Sequence, residues 1–304
     1  MTTQSTLMDN GQTQIRPQKK LITRRGRFKP GNVVLFLLMV LLALFFAFPF
    51  FWTLSSSLKK ISELNTFPPT WLPASPQWVN YAKVLNGVEF VRWTWNTLFI
   101  VVLGTLGVTI TASMVAYSFA RFRYRGRELL FVITLGTLML PAQVTLIPQY
   151  VLFHRLNMVN TLYPLWVPAW FGGGAFAIFL LRQFIMSLPK ELDEAAIIDG
   201  ANYFRVFWQI LLPLCKPVLA TIAVITANGV WNDFATQVIY LQLPDVMTLA
   251  VGLNRFRTFP ELGGEPTQHL LMAASVMSIV PIIILFFATQ RYFVQGIVLS
   301  GIKG

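Results

Sequence analysis

Glu194-Ala195-Ala196-Ile197-Ile198-Asp199-Gly200, carried on to Ile210-Leu211-Leu212-Pro213, is a polar and small-residue-rich stretch between two long apolar segments. From Pro189 to Gly200 it is too short to cross a bilayer, which takes about 20 residues. Its punctuation predicts a short helix. Ser187 is placed as N-cap, Pro189 in the first turn, and Glu191, Asp193 and Glu194 at the positive end of the dipole, with Gly200 as the stop. A second short helix is predicted from about Tyr203 to Leu212, ending at Pro213. Two uses fit such a hairpin. It can lie as an amphipathic turn on the lipid surface, the use that periodicity alone favours. Alternatively, the paired alanines can admit another backbone while Ile197, Ile198 and the acids complete a knob for a groove on a partner protein.

Composition sets the solvent. The chain has 304 residues, 55% of them hydrophobic and 12% charged, which excludes an ordinary soluble domain. The net charge of +12 invites a nucleic-acid reading, but the charges sit in short loops between apolar runs, so no nucleic-acid partner is expected. A single cysteine, Cys215, rules out an internal disulfide and a multi-cysteine metal site, and reads as a small residue at a helix start.

Six spans are predicted. Residues 1–32 form a basic tail, expected to be disordered. The first span is Val33 to Leu54, retained because no small-residue cleavage site follows it, and kinked at Pro49. A Pro- and Trp-rich connection, Leu58 to Trp93, fits either a headgroup anchor or a docking surface for an external partner. The second span, about Thr94 to Phe119, holds Gly104, Gly107, Thr111 and Ser113, which favour close helix packing. Arg121, Arg123, Arg125 and Arg127 follow as a compact basic loop. The third span, about Leu129 to Phe153, carries Pro141, Gln143 and Pro148 and is expected to bend while facing protein or a cavity. The fourth, about Leu162 to Phe184, contains Gly172-Gly173-Gly174. These weaken a helix by about 1 kcal/mol each relative to alanine, either to break it beside a pathway or to pack it tightly against a neighbour. The fifth is about Leu214 to Phe234, and the sixth about Leu271 to Phe293, broken by Pro281. A long connection, Ala235 to Leu270, separates these two and carries Arg255, Arg257, Glu261 and Glu265.

An even number of spans puts both termini on one side. The tails and loops on the hairpin's side hold 17 of the 24 Lys and Arg residues. The positive-inside bias therefore predicts that both termini and the hairpin are cytoplasmic.

Glu-Ala-Ala, three residues, Gly, nine residues and Ile-x-Leu-Pro resembles the signature loop of ATP-binding-cassette importer permeases. Glu194, Ala195, Ala196, Gly200, Ile210, Leu212 and Pro213 fall on it. Asp199-Gly200-Ala201, Lys216-Pro217, Trp231-Asn232-Asp233-Phe234 and the closing Gly301-Ile302-Lys303-Gly304 are similar to the carbohydrate-uptake branch, in its maltose-type second permease. The likeness runs from about Val33 to Gly304. It implies an all-α polytopic membrane protein with the six transmembrane helices of the type I importer permease fold. Residues 33–304 would form the permease domain, with a cytoplasmic coupling helix inside the loop 187–213.

The resemblance also implies partners: a second permease in a heterodimer, two cytoplasmic ATPase subunits that use ATP and Mg, and an extracytoplasmic solute-binding protein, in a bacterial or archaeal cytoplasmic membrane. The chain has no Gly-x-x-x-x-Gly-Lys-Ser/Thr phosphate loop, so it is expected to be non-catalytic and to bind no cofactor itself. Glu194 would make the polar contact to the ATPase, Ala195, Ala196 and Gly200 would permit the fit, and Asp199, Ile210, Leu212 and Pro213 would belong to the same coupling site. By the same analogy the loop Ala235–Leu270 would reach the binding protein, and the C-terminal tail the ATPases.

For the cargo path, Asn228 and Asn232 lie four apart on one helix face, with Asp233 following and Trp231 as an aromatic platform. Gly173 joins them if the glycine run lines the path. Packing and end-capping explain the same residues without a cargo role. Cargo is expected to be a saccharide, with glycerol phosphate or a polyol as the alternative. An ion-coupled secondary transporter should show buried ionisable pairs, which the span interiors lack. A membrane enzyme should show a catalytic cluster, yet His154 and His269 fall in outer connections without metal-ligand spacing.

Overall fold

The structure, a computed structural model, describes residues 30–87, 89–256 and 267–300, without the side chains of 30, 256 and 291–300. The basic tail up to residue 29, Arg257, Glu261, Glu265 and the closing 301–304 lie outside the described residues. The described residues are helical and contain no strand. Among the described residues four helical stretches are long and apolar enough to cross a membrane, and up to six spans result if each of two bent pairs counts as one.

Helix α1 (Pro30–Ser57) belongs to two compact units that meet between Phe48 and Pro49. In the first unit every side chain from residue 31 to 48 is exposed, as a lipid-facing apolar helix requires. Pro49 lies inside this helix and is the first residue of the second unit. All further elements belong to the second unit. The connection after α1 contains α2 (Ile61–Leu64) and α3 (Val79–Gly87). It folds around buried polar groups: Asn80 Nδ2 donates to the Ser57 and Lys59 carbonyls at 2.8 and 3.1 Å, and the Lys59 ammonium donates to the Thr70 carbonyl. The Lys59 ammonium also lies 4.5 Å from the centre of the Trp52 ring. Burial lowers the pKa of Lys59 from its ordinary value, and nearby Glu63 partly restores it.

Helix α4 (Phe90–Arg121) is the element on which the second unit is built. Ala112, Ala116 and Ala120 recur every four residues and so line one face, where small side chains let a second helix approach. Beyond the basic loop, α5 (Arg127–Gly136) continues as a 3-10 turn to Met139. The chain then turns by 99° into α6 (Ala142–Arg155). The cause is Pro141, whose ring forces Leu140 out of the helical region to ψ 120°. The expected bend is therefore a corner at Pro141, while Pro148 sits inside α6 without ending it.

The fourth span is not one helix. It comprises α7 (Tyr163–Trp166), a 3-10 turn over Val167–Trp170, the glycine run and α8 (Ala175–Ser187). Gly172, Gly173 and Gly174 have φ of +109°, +68° and +82°, values only glycine adopts readily. After the hairpin come α12 (Lys216–Asn232), α13 (Ala235–Tyr240), α14 (Leu249–Phe256) and α15 (Gln268–Ser300), whose labels leave α9 to α11 for the hairpin itself. The α15 helix passes through Pro281 without the predicted break.

Two clusters of buried side chains hold α4 at its ends. One joins its C-terminal half to α8, the hairpin and α12 through Tyr117, Leu181, Phe207 and Ile222. The other joins its N-terminal half to α12, α14 and α15 through Trp93, Trp231, Leu249 and Ala273. Close approach is built in where aromatic rings meet glycine: a Cβ on Gly107 would lie 2.8 Å from the Trp170 ring, and one on Gly252 2.3 Å from the Trp93 ring.

Candidate functional site

The hairpin joins α8 to α12. Ser187 closes α8, its Oγ donating to the Phe184 carbonyl at 2.7 Å, and so is not the N-cap of the next helix. That cap is Lys190, whose carbonyl accepts from the Asp193 and Glu194 N–H groups at 2.9 and 3.1 Å. The first predicted helix is α9 (Glu191–Ile198), and its acids stand in the first turn as expected. It ends in a Schellman motif. The Ala201 N–H donates to the Ala196 carbonyl at 2.9 Å, the Gly200 N–H donates to Ile197 at 3.0 Å, and Gly200 takes φ +85°. A Cβ there would meet nothing within 4 Å, so backbone conformation, not space, demands glycine.

The return limb starts at Asn202, whose Oδ1 accepts from the Arg205 N–H at 2.8 Å and caps α10 (Tyr203–Arg205). The chain then winds as a π-helix over Val206–Leu211 into α11 (Leu212–Leu214). Pro213 does not end this limb. The wider turn, with the Leu212 N–H reaching back five residues to the Phe207 carbonyl, accommodates it. The break falls at Cys215, a buried free thiol, where the chain turns by 77° into α12.

The faces of α9 have opposite surroundings. Asp193 and Ala196, three apart, turn inward, and Ala196 is only 8% exposed within the core of the bundle. Glu194, Ala195 and Asp199 are exposed, with Ile197 and Ile198 at 43% and 85%. Ala196 is thus corrected from a docking residue to a seat of the hairpin on its own bundle. Ile210 and Leu212 also pack against that core, while Pro213 is exposed.

What fixes the seat is Arg121, which is the last residue of α4 and not part of the basic loop. Its side chain is 6% exposed, its Nε lies 2.6 Å from Asp193 Oδ2, and a terminal nitrogen donates to the Leu188 and Pro189 carbonyls at 3.1 and 3.4 Å. Burial pushes the Asp193 carboxyl up from its ordinary pKa, and the Arg121 guanidinium pulls it partly back. One turn earlier on α4, the Tyr117 hydroxyl donates to the Tyr203 carbonyl at 3.4 Å. The Tyr117 ring stacks on Phe207, with centroids 5.3 Å apart. A second buried arginine, Arg182 of α8, lies 4.0 Å over the Phe131 ring and 3.5 Å from Glu128, tying α8 to α5. An Arg beside an acidic first turn was the available signal for the Arg121–Asp193 pair. The sequence does not state which arginine folds inward.

The path candidates Asn228, Trp231, Asn232 and Asp233 sit at the opposite end of α12 from the hairpin, and Gly173 lies before α8. Asn228 and Asn232 are exposed and bonded to each other, Nδ2 to Oδ1 at 3.1 Å. Trp231 is 7% exposed inside the second cluster, so it is core and not a platform. Asp233 caps the next helix, its Oδ1 accepting from the Thr236 N–H at 3.1 Å. Gly173 is buried: a Cβ there would lie 2.6 Å from Ala112 Cβ and N, so it packs α8's entry against α4 and lines no opening. Beside this end, Gln237 Oε1 accepts from the Thr248 hydroxyl and its Nε2 donates to the Val230 carbonyl at 2.8 Å. Both histidines stand on helices instead of loops, His154 in α6 and His269 in the first turn of α15. Among the described residues no three His, Cys, Asp or Glu side chains gather as a metal site.

Comparison with known proteins identifies the family and the fold. Residues 109–299 match the model of a family described as binding-protein-dependent transport system inner membrane component. The arabinooligosaccharides transport system permease protein AraQ of Halalkalibacterium halodurans is 37% identical over 70% of this chain and 75% of its own length. The probable ABC transporter permease protein YurM of Bacillus subtilis is 33% identical over 90% of this chain and 88% of its own. Among solved structures, a bacterial ABC transporter involved in the import of the acidic polysaccharide alginate superposes with TM-score 0.79 at 27% identity. That match covers 87% of this chain and 96% of the other.

Proposed function

Because the chain belongs to the binding-protein-dependent transport system inner membrane components, we propose that it is one permease subunit of an ATP-driven importer for a saccharide. In this reading it pairs with a second permease. Two cytoplasmic ATPase subunits hydrolyse ATP with Mg, an extracytoplasmic binding protein delivers cargo, and both termini are cytoplasmic. The relatives named for arabinooligosaccharide transport and alginate import support a saccharide cargo.

The observation that carries the coupling role is the outer face of α9. Ile198 is 85% exposed and Ile197 43% exposed on a helix outside the apolar spans, next to exposed Glu194 and Ala195. Burying Ile198 in a partner groove releases about 1.5–3 kcal/mol and the half-exposed Ile197 about half as much, and Glu194 adds a charged contact at the rim. Asp199 and Gly200 shape the end of that knob, while Ala196, Ile210 and Leu212 hold it to the bundle. For cargo, Asn228 and Asn232 are the exposed hydrogen-bonding pair retained on the path.

The test uses Ile198→Asp in the complete transporter reconstituted in vesicles. ATP-dependent uptake by the unaltered complex and loss of ATPase subunits from the Ile198→Asp complex are expected. Retention of those subunits with full uptake refutes the docking role. Offering the binding protein oligosaccharides, polyols and glycerol 3-phosphate separates the cargo classes.

A further inference from the structure

The hairpin is joined covalently to α8 and α12 only, yet its strongest polar contacts go to α4. Arg121 reaches one limb through an ion pair and two hydrogen bonds: the Asp193 carboxylate at 2.6 Å and the carbonyls of Leu188 and Pro189. With its side chain 6% exposed, this ion pair is shielded from water and salt, unlike the surface pairs Arg92–Asp245 and Arg127–Glu128. The other limb meets the same helix through Tyr117, which bonds the Tyr203 carbonyl and stacks on Phe207. Phe122, just past the end of α4, packs edge-on against Tyr203 at 5.2 Å. Helix α4 thus holds both limbs of the hairpin, and its alanine face and Gly107 pack it against α8, α12 and the turn before the glycine run.

We propose that the Arg121–Asp193 pair is a strut through which displacement of α9 is delivered directly to α4, making Arg121 and Asp193 positioning residues for coupling. This rests on the docking role of α9 and goes beyond it. The partner's motion enters at the outer face of α9, and the inner face passes it to a span that the hairpin does not adjoin in sequence. Removing either partner leaves a shielded charge alone and lets α9 rock against α4. Reversing both charges restores the strut in the opposite sense.

The experiment is the cargo-per-ATP ratio of the complete reconstituted transporter, for unaltered protein, Arg121→Gln, Asp193→Asn and the charge exchange Arg121→Asp with Asp193→Arg. Retention of the ATPase subunits is checked in each. Each single variant is expected to keep its ATPase subunits and hydrolyse ATP while the ratio falls about tenfold, the size expected for a lost charge-assisted contact. The exchange is expected to recover most of that loss. A merely structural role would lower complex yield and leave the ratio of the surviving complexes unchanged, and that result overturns the proposal. So does equal loss in the exchange and the singles. If the unaltered complex shows no ATP-dependent uptake, the docking reading falls and takes the strut with it. If uptake is ATP-dependent and Ile198→Asp sheds the ATPases while Arg121→Gln keeps a normal ratio, the strut alone is refuted.

Discussion

Replacing Gly173 by alanine tests how α8's entry is fastened to α4. The new Cβ would lie 2.6 Å from both Ala112 Cβ and N and 2.7 Å from the Val108 carbonyl oxygen. Two of those three atoms are backbone, so relief requires the helices to part. Overpacking of this kind costs about 1–3 kcal/mol. The left-handed backbone at φ +68° adds about 1–2 kcal/mol for any residue with a Cβ. Gly126→Ala isolates the second part, since Gly126 has φ +83° and open space around it. The assay is equilibrium unfolding in mixed micelles against increasing denaturing detergent, read by tryptophan fluorescence. Gly173→Ala is expected to be less stable than Gly126→Ala by the steric part, about 1–3 kcal/mol, or about fivefold to 150-fold in the unfolding constant. Equal destabilisation would refute the close packing of this glycine on α4.

Gly200→Asn should be tolerated, whereas Gly200→Val should lose about 1–2 kcal/mol through backbone strain alone, measured as thermal stability in detergent. Gln237→Leu leaves the Thr248 hydroxyl and the Val230 carbonyl without partners and is expected to destabilise by about 1–3 kcal/mol in the same measurement. The raised pKa of Asp193 makes the folded chain hold a proton that the unfolded chain has released. Stability should therefore fall as pH rises above the ordinary aspartate value of about 4, through the folded-state value. Melting curves of wild type and Asp193→Asn across that window check it: the variant should lack this part of the pH dependence.

The class of fold was legible because apolar runs of bilayer length are unambiguous, and the hairpin because its acids, Gly200 and prolines punctuate a segment too short to span. The interruptions were harder to place. Pro141 makes a corner and Pro281 does not, because a helix whose neighbours or own side chains tolerate a missing bond continues through proline. Burial within the site was not legible at all. Ala195 and Ala196 are identical side by side, yet only Ala196 is buried, and periodicity cannot assign the inner face until Arg121 fixes the rotation of α9. Trp231 was misplaced for the same reason: an aromatic residue near polar neighbours at a helix end can serve a path or a core. Contact with Leu249 and Ala273, far along the chain, decided for the core.

The π-wound segment Val206–Leu211 has a consequence for engineering. Each residue of an ordinary helix turns the chain by about 100°. The wide turn takes up about one residue more than an ordinary turn, so restoring ordinary winding over the same number of residues would rotate the knob by about that angle relative to α12 and aim Ile198 elsewhere. Chimeras that exchange this loop between related transporters should therefore keep their seams outside Leu188 and Cys215, moving the wide turn with the loop whose bearing it sets.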